Sequence, residues 1–171
     1  FAGETDNGTE DIWKIAEGVG YPRLAWEKYS GRTGEPNDPY QIATAADLIA
    51  LGETPEDYDK HFILTADIDL DPNLPGGRVF DKAVIAPVRP WPSRSDKSFT
   101  GVLDGDGHTI RHLTITGENY LGLFGELGSG AEVRNLAVVD VNITGSGIYA
   151  GGLVGLNNGR ITASHVTGEV R

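Results

Sequence analysis

The sequence contains no cysteine and no methionine, although it is 171 residues long. Without cysteine there is no disulfide, no thiolate nucleophile and no cysteine-ligated zinc site. A chain of this length is the size of one domain and has enough apolar residues to bury a core. Because it begins at Phe1 and has no methionine, we expect a processed protein or a piece of a longer one.

Positive charge is also scarce, since 14 Lys and Arg residues stand against 25 Asp and Glu and leave a net charge of −11. That balance argues against nucleic acid and anionic lipid as partners, because both need a basic surface. No apolar run is long enough to cross a bilayer and no secretory apolar segment is present, so we predict no membrane span. An acidic chain rich in Gly and Thr and free of Cys is typical of secreted bacterial proteins. We therefore expect an extracellular or cell-surface location.

Composition divides the chain into three regions. Residues 1–28 contain short apolar segments around Trp13, Ile15, Leu24 and Trp26, which we take as candidate self-association residues. Residues 29–98 carry a helix, a strand and a long loop. Residues 99–171 are repetitive.

A single convincing helix is predicted at 44–52. Thr44 is a good N-cap, and Asp47 three residues later completes a capping-box pattern. Gly52 is placed to end the helix in a left-handed conformation. The following "TPEDY" repeats the signal on a smaller scale, with Thr54 as cap and Pro55 at the first helical position.

The stretch "HFILTADIDL" (61–70) alternates as one strand. Its apolar side carries Phe62, Leu64, Ala66, Ile68 and Leu70, and its other side carries acidic residues. Residues 72–98 are predicted to be mostly loop, with "KAVIAPV" as a short strand.

A glycine-framed apolar box occurs twice, starting at Gly122 and again at Gly152. Six-residue stretches that begin and end with an apolar residue also recur, at 110–115, 133–138 and 161–166. A period in the twenties made of short strands and Gly/Asn turns is typical of a β-solenoid, whereas a β-sandwich gives more closely spaced strands. The boxes are Gly122, Leu123, Phe124 and Gly125, then Gly152, Leu153, Val154 and Gly155.

In a solenoid the two boxes stack in successive coils about 4.8 Å apart. We expect Leu123 over Leu153 and Phe124 over Val154 to alternate in and out, with glycines giving close approach and positive φ at the corners. The predicted core is Phe62, Leu64, Ile68, Leu70, Ile110, Leu113, Ile115, Leu123, Val133, Leu136, Val138, Val141, Ile143, Leu153, Ile161 and Val166.

The boxes "GLFG" and "GGLVG" resemble the GLUG motif, which occurs in tandem in large secreted and surface-attached bacterial proteins, including adhesins and some immunoglobulin-A peptidases. Upstream, "YSGRTGEPNDPYQIATAADLIALG", "KHFILTADIDL" and "FTGVLDGDGHTIRHLTI" are similar to the segment that precedes such repeats, so the resemblance covers 29–171. Residues 1–28 resemble the tail of a preceding repeat array.

The resemblance implies an all-β fold, a right-handed parallel β-helix of about three coils with one short N-terminal helix, and a non-catalytic structural or adhesive role. Peptidase activity is not implied, since the chain has no metalloprotease His-Glu motif. Implied partners are adjacent repeats of the same polypeptide, further copies stacked head to tail through the ends, or surface glycans.

Two acidic clusters could carry chemistry. Asp67, Asp69 and Asp71 resemble half of a calcium loop, but the Gly and Glu of an EF-hand are replaced by Pro72 and Arg78. The alternatives are solvated carboxylates on the outer face of a strand, or calcium as the one possible cofactor.

In "LDGDGHTI" (103–110), Asp104 and Asp106 could serve a β-helix glycosidase or lyase. Asp-Gly repeats are equally the chemistry of a tight turn, which we favour.

Aromatic residues that could bind sugar are few in the repetitive part, and Tyr120, Tyr149 and Trp91 are the candidates. We predict no catalytic residues. A self-assembling filament subunit and a carbohydrate-binding or carbohydrate-active β-helix are the alternative functions.

Overall fold

A computed structural model describes residues 29–88 and 97–171, together with the backbone of 13–14 and 23–24. In the N-terminal region, β1 (Trp13–Lys14) pairs antiparallel with β2 (Arg23–Leu24). Ile15, Trp26 and the side chains of Trp13 and Leu24 lie outside the described part. The predicted self-association through these four residues therefore stays a prediction.

The described residues from 29 onward form an all-β structure in which every pairing between strands is parallel. Within that part of the chain, one α-helix and one 3₁₀ turn interrupt the strands. The strands are β3 (Tyr40–Ile42), β4 (His61–Leu64), β5 (Ile68–Asp69), β6 (Val102–Asp104), β7 (Thr109–Arg111), β8 (Thr114–Gly117), β9 (Phe124–Leu127), β10 (Glu132–Arg134), β11 (Ala137–Gly145), β12 (Val154–Asn157), β13 (Arg160–Thr162) and β14 (His165–Val170).

The strands belong to three parallel sheets that the chain visits in turn. The first sheet has the order β13-β10-β6-β4-β3, and the second has the order β14-β11-β7-β5 with β8 also paired to β11. The third sheet joins β12 to β9. From β4 onward the chain passes from the first sheet to the second and then the third before it returns to the first. We call each such passage a layer, and the set of layers the stack.

The layers place equivalent residues in columns. Leu103 pairs with Val133, which pairs with Ile161, and Ile110 pairs with Val138, which pairs with Val166. The predicted match of 133–138 with 161–166 is therefore confirmed. Its predicted match with 110–115 is wrong, because that alignment joins strands of different sheets. The glycine boxes stand in register as predicted, with Phe124 beside Val154.

The predicted single strand at 61–70 is two strands in two sheets. β4 ends at Leu64 and β5 begins at Ile68, so residues 65–67 form the corner between the first and second sheets. Side-chain alternation survives the corner, because Phe62, Leu64, Ile68 and Leu70 are all buried. A corner that preserves the apolar period cannot be distinguished from a straight strand by the pattern alone.

Helix α1 (Ala45–Glu53) lies between β3 and β4 and closes one end of the stack. The Thr44 hydroxyl accepts from the Asp47 amide while the Asp47 carboxylate accepts from the Thr44 amide, which confirms the capping box. Leu48 and Leu51 are fully buried in the same core as Ile42 of β3. α1 thus covers an apolar end that would otherwise meet water.

Gly52 does not end α1 as predicted, because the helix continues to Glu53 and Gly52 has no positive φ. A Cβ at this position would overlap the carbonyl oxygen of Val84, so the glycine permits close packing of α1 on the 83–86 segment. The predicted turn after the helix is present as a 3₁₀ turn at Pro55–Asp57, but Thr54 makes no capping bond and its hydroxyl donates to the Ala50 carbonyl instead.

The predicted loop at 72–98 supplies part of a layer within its described residues. Single parallel bridges join Phe80 to Ile115 and Ile85 to Phe124. Phe80, Val84 and Ile85 of this segment are buried in the core. This segment therefore fills the interior, although its sequence has no strand period.

Fourteen of the sixteen predicted core residues are buried. The two exceptions are in the last layer, where Ile161 is half-buried and Val166 is 39% exposed. In both columns the members in the two preceding layers are fully buried, so the exposure of Ile161 and Val166 reflects the position of the layer rather than the residue type.

Candidate functional site

The corner between the first and second sheets carries a row of ion pairs that join one layer to the next. The Asp67 carboxylate accepts from the Thr109 amide at 2.9 Å and from Arg111 at 3.2 Å, and it lies 3.3 Å from Nδ1 of His108. The hydrogen bond from the Thr109 amide, helped by His108 and Arg111, holds the pKa of Asp67 below its usual value. The Asp67 side chain is exposed, but its carboxylate is held by residues of the next layer along the chain.

The neighbouring carboxylates have partners of their own. Asp69 lies 2.8 Å from Nδ1 of His112, and this hydrogen bond raises the pKa of His112 above its ordinary value. The Asp71 carboxylate accepts from the backbone and side-chain nitrogens of Asn73, which lower its pKa.

The three candidate calcium ligands therefore each face a different donor. Among the residues that the structure describes, no group of three or more His, Asp or Glu side chains is arranged to hold a metal.

"LDGDGHTI" forms a tight turn between β6 and β7, as favoured from its glycines. Asp106 and Gly107 have φ of 49° and 81°, and the Asp106 amide donates to the Asp104 carboxylate at 2.9 Å. Asp104 also accepts from Nε of Arg134 at 2.7 Å and from Asn135 at 3.1 Å. Both of these partners lie in the next layer.

Partial burial works to raise the pKa of the Asp104 carboxyl, but the hydrogen bond from Arg134, assisted by those from the Asp106 amide and Asn135, outweighs it. The pKa of Asp104 consequently lies below its usual value. A carboxylate held in this way is a poor general acid near neutral pH, because it stays ionised.

The glycine boxes are corner devices, but their side chains do not alternate as predicted. Leu123 and Phe124 are both fully buried. The flanking glycines give close approach: a Cβ at Gly125 would overlap the carbonyl oxygen of Ala86, and one at Gly152 would overlap a methyl of Val166. Of the four box glycines, Gly122 alone has a positive φ. The box glycines therefore have both predicted roles, close backbone approach and positive φ, and close approach is the more common of the two.

The two tyrosines considered as sugar platforms form a pair rather than a flat surface. The rings of Tyr120 and Tyr149 stack with centroids 4.9 Å apart and planes inclined by 28°. Because they stack face to face along the direction of the layers, their edges point sideways. A sugar ring needs an open aromatic face, and the faces that these two rings turn to each other are covered. Trp91 lies outside the described residues.

Sequence reasoning missed the pairing of charges between layers. Arg111 and His112 contact Asp67 and Asp69 of the preceding layer. The sequence did contain a signal for these pairs. The number of residues between equivalent positions of successive layers places Asp69 beside Arg111 and Asp104 beside Arg134.

Comparison with known proteins gives relatives much longer than this chain. No protein-family model matches it, and no solved structure matches it. A protein named Halomucin from Haloquadratum walsbyi is 35% identical over 148 residues, which are 83% of this chain and 2% of that protein. Evansella cellulosilytica has a protein whose name describes a Gly-rich membrane protein. It is 34% identical to this chain over 147 residues, which are 78% of this chain and 15% of that protein.

The chain thus spans a small part of each relative that it matches. Among the described residues, no helix is long and apolar enough to cross a membrane.

Proposed function

We propose that residues 29–171 are a non-catalytic structural module of an extracellular or cell-surface protein, built as a right-handed parallel β-solenoid of the GLUG type. The observation that carries the proposal is the repeated passage of the chain through the same three parallel sheets. Connections between parallel strands of one sheet are right-handed in nearly all proteins, which supports the handedness. Stacked layers of this kind commonly serve as extended scaffolds.

The polar residues support a structural role. Asp67, Asp69 and Asp104 are each held by donors from the following layer. Interior columns are aliphatic or aromatic and fully buried in the central layers. The polar contacts therefore hold one layer on the next, and the apolar columns supply the stability of the whole.

The relatives support the location. Their names refer to a mucin and to a membrane protein, and both are far longer than the segment they share with this chain. A segment shared with long proteins that have such names suits a surface layer or stalk. Antibodies against the pure chain should label intact cells of the source organism as strongly as permeabilised ones. Labelling that requires permeabilisation would contradict the location.

The absence of catalysis is tested directly. We expect no release of reducing ends or unsaturated sugars when the pure chain is incubated with neutral and acidic polysaccharides. Turnover that disappears in an Asp104→Asn, Asp106→Asn double variant would overturn the non-catalytic proposal. Turnover that survives in the double variant would point to a contaminating enzyme.

We propose that calcium is not needed for folding. The donors around Asp67, Asp69 and Asp71 would have to be displaced before an ion could bind, so the melting temperature should be the same in millimolar calcium and in chelator. A rise of several degrees in calcium that is lost in Asp69→Asn would restore the calcium interpretation. Ser129→Asn, at an exposed turn, is the control substitution.

A further inference from the structure

The corner between the second and third sheets holds a tyrosine in each of two successive layers. Tyr120 precedes Leu121, and Tyr149 precedes Ala150, which pairs with Leu121 through a parallel bridge. The ring centroids lie 4.9 Å apart, within the usual spacing of neighbouring strands, and the ring planes are inclined by 28°. The two rings therefore occupy equivalent positions and lie nearly face to face.

Hydrogen bonds between the layers hold this corner in register. The Tyr120 amide donates to the Ile148 carbonyl at 3.1 Å, and the Leu121 amide donates to the Tyr149 carbonyl at 2.9 Å. The Ile148 amide donates in turn to Oδ1 of Asn119 at 2.8 Å. The fold thus keeps the two tyrosines together, in the way that a binding site keeps two reactants together.

Both tyrosines have a backbone conformation that small or polar residues adopt at lower cost. Tyr120 has φ of 54° and Tyr149 has φ of 62°, whereas Gly107 and Asn135 take left-handed positions at another corner. Neither tyrosine belongs to the buried core. Backbone strain of this kind is retained where a side chain has a use, so the use of these two lies at the surface.

The phenol groups of the pair are open to small oxidants. Tyr149 is 47% exposed and Tyr120 is half-buried. Among the described residues, neither hydroxyl has a hydrogen-bond partner. The chain has no cysteine and no methionine, the side chains whose sulfur is readily oxidised. A surface phenol is therefore a favoured target of one-electron oxidation in the described part of this protein.

We propose that Tyr120 and Tyr149 are an oxidative cross-linking site, at which hydrogen peroxide and a haem peroxidase join the two rings through a carbon–carbon bond. The product, a dityrosine, fastens the last layer covalently to the layer before it. This modification goes beyond the proposed structural role and does not depend on it. It needs the stacked pair, an accessible phenol on each ring and the external oxidant.

The atoms and electrons of the coupling balance with peroxide as the oxidant. The peroxidase takes one electron and the phenolic proton from each ring, and the two radicals form a bond between their Cε carbons, next to the carbons that carry oxygen. Each Cε proton then moves to the phenolic oxygen and restores the hydroxyl. The two electrons and two protons removed reduce one peroxide to two waters. The protein loses two hydrogen atoms.

A second tyrosine pair in the same molecule provides the internal control. The rings of Tyr29 and Tyr40 have centroids 4.8 Å apart, but their planes are inclined by 58°. Tyr29 is 5% exposed and its hydroxyl donates to Asp57 at 3.0 Å. Burial, together with the Asp57 charge, raises the pKa of Tyr29 and opposes loss of its proton. We expect this pair to stay uncoupled, although its rings are just as close.

The test is to treat the pure chain, at low concentration, with horseradish-type haem peroxidase and hydrogen peroxide. The chain should stay monomeric, gain dityrosine fluorescence and lose the mass of two hydrogen atoms. Trypsin should then release peptide 112–134 joined to peptide 135–160, which carry Tyr120 and Tyr149. Peptides 29–32 and 33–60, which carry Tyr29 and Tyr40, should be released separately. Because the pair is held in place, its coupling should exceed that of any other pair at least about tenfold.

Matched variants identify the reacting groups. Tyr120→Phe and Tyr149→Phe keep the ring stack and remove one phenol each, so both should abolish the joined peptide. Tyr40→Phe should leave its yield unchanged. No joined peptide in the unmodified chain, equal yields from other tyrosine pairs, or coupling only between molecules would each overturn the proposal and leave the stack as packing alone.

The effect of the cross-link on the last layer is measured on the coupled chain. Coupling closes a covalent loop over 120–149, so the urea midpoint should shift upward, as for other cross-links that restrict the unfolded chain. Hydrogen exchange of the Val154–Asn157 amides should slow about tenfold, because the layer opens less often. Unchanged midpoint and exchange in the coupled chain would overturn the fastening role. If coupling fails while the chain still unfolds cooperatively and cleaves no polysaccharide, the proposed structural function stands without this site.

Discussion

The two ends of the stack differ in how they treat the same kind of apolar column. At the first end, Ile42, Leu48 and Leu51 are fully buried because α1 lies across the strands. At the other end, Val166 and Val170 face solvent on a strand that is paired on one side. Among the described residues, a helix covers one end of the stack, whereas the other end is a strand edge.

The difference shows that the burial of a side chain in this fold depends on whether a layer lies on both sides of it. Val138 and Val166 are the same residue type in one column, yet the first is fully buried and the second is not. In stacked repeats, stability is approximately a sum of terms between adjacent units. The last layer lacks one such term within the described structure, so it should open before the centre does.

A central truncation should have the largest effect. Leu136 is 1% exposed between β10 and β11, so Leu136→Ala should lower the free energy of unfolding by about 2–5 kcal/mol through lost transfer energy and a cavity. The measurement is urea unfolding followed by circular dichroism. Leu74→Ala, at a side chain 45% exposed, is the control and should change little. Equal losses in the two variants would contradict the assignment of the core.

A single methyl group added to α1, at the end of the stack that this helix covers, should lower the stability of the protein. Gly52→Ala would favour the helix by about 1 kcal/mol from propensity alone. We expect instead a loss of about 1–3 kcal/mol, since the new Cβ overlaps the Val84 carbonyl and moves α1 off the stack. Glu53→Ala, at an exposed position of the same helix, reports on propensity without the overlap. Stabilisation by Gly52→Ala would mean that α1 is not packed on this segment.

Truncating a side chain in the last layer should cost less stability than the same truncation in a central layer. Val138→Ala should cost about 1–2 kcal/mol, because a fully buried side chain loses two methyl groups. Val166→Ala, in the same column, should cost under about 0.5 kcal/mol. Chemical denaturation of both variants gives the ratio. Similar costs would mean that the last layer is covered in solution.

The sequence predicted the stacked parallel strands, the helix cap and most of the core, because those depend on local period and composition. It misplaced features that depend on where a corner falls. The strand at 61–70 bends at 65–67 without a break in its apolar alternation, and the 110–115 repeat was matched to the wrong column. Corner positions at Tyr120, Tyr149 and His112 have positive φ without being glycine, so residue type does not identify them.

The polar contacts were the least predictable part. Asp67 was predicted to be a solvated carboxylate or a calcium ligand, and the prediction did not include its contacts with Thr109, His108 and Arg111 from a much later segment of the chain. Such contacts depend on the exact register between layers, which a period read from short strands locates only approximately. The exposure of Val166 was unpredictable for a related reason, because hydrophobicity identifies a core column but does not say whether a layer lies on both sides of it.

The smallest effect concerns a charge pair between layers and depends on pH. The hydrogen bond to Asp69 raises the pKa of His112 above its ordinary value of about 6.5. Its stabilising contribution is therefore complete below that ordinary value and is lost as the pH rises through the raised pKa. His112→Asn removes the titration and keeps a residue that tolerates the φ of 59° found there.

The stability difference between wild type and His112→Asn should thus be larger at about pH 5.5 than at about pH 8.5, measured by urea unfolding at constant ionic strength. Asp104 has the opposite sign, since its lowered pKa makes its contribution vanish only as the pH falls through the acid range. Asp104→Asn should therefore show no change in its effect between those two pH values, which makes it the control. A His112→Asn difference that is constant with pH would mean that the pair with Asp69 adds nothing between the layers.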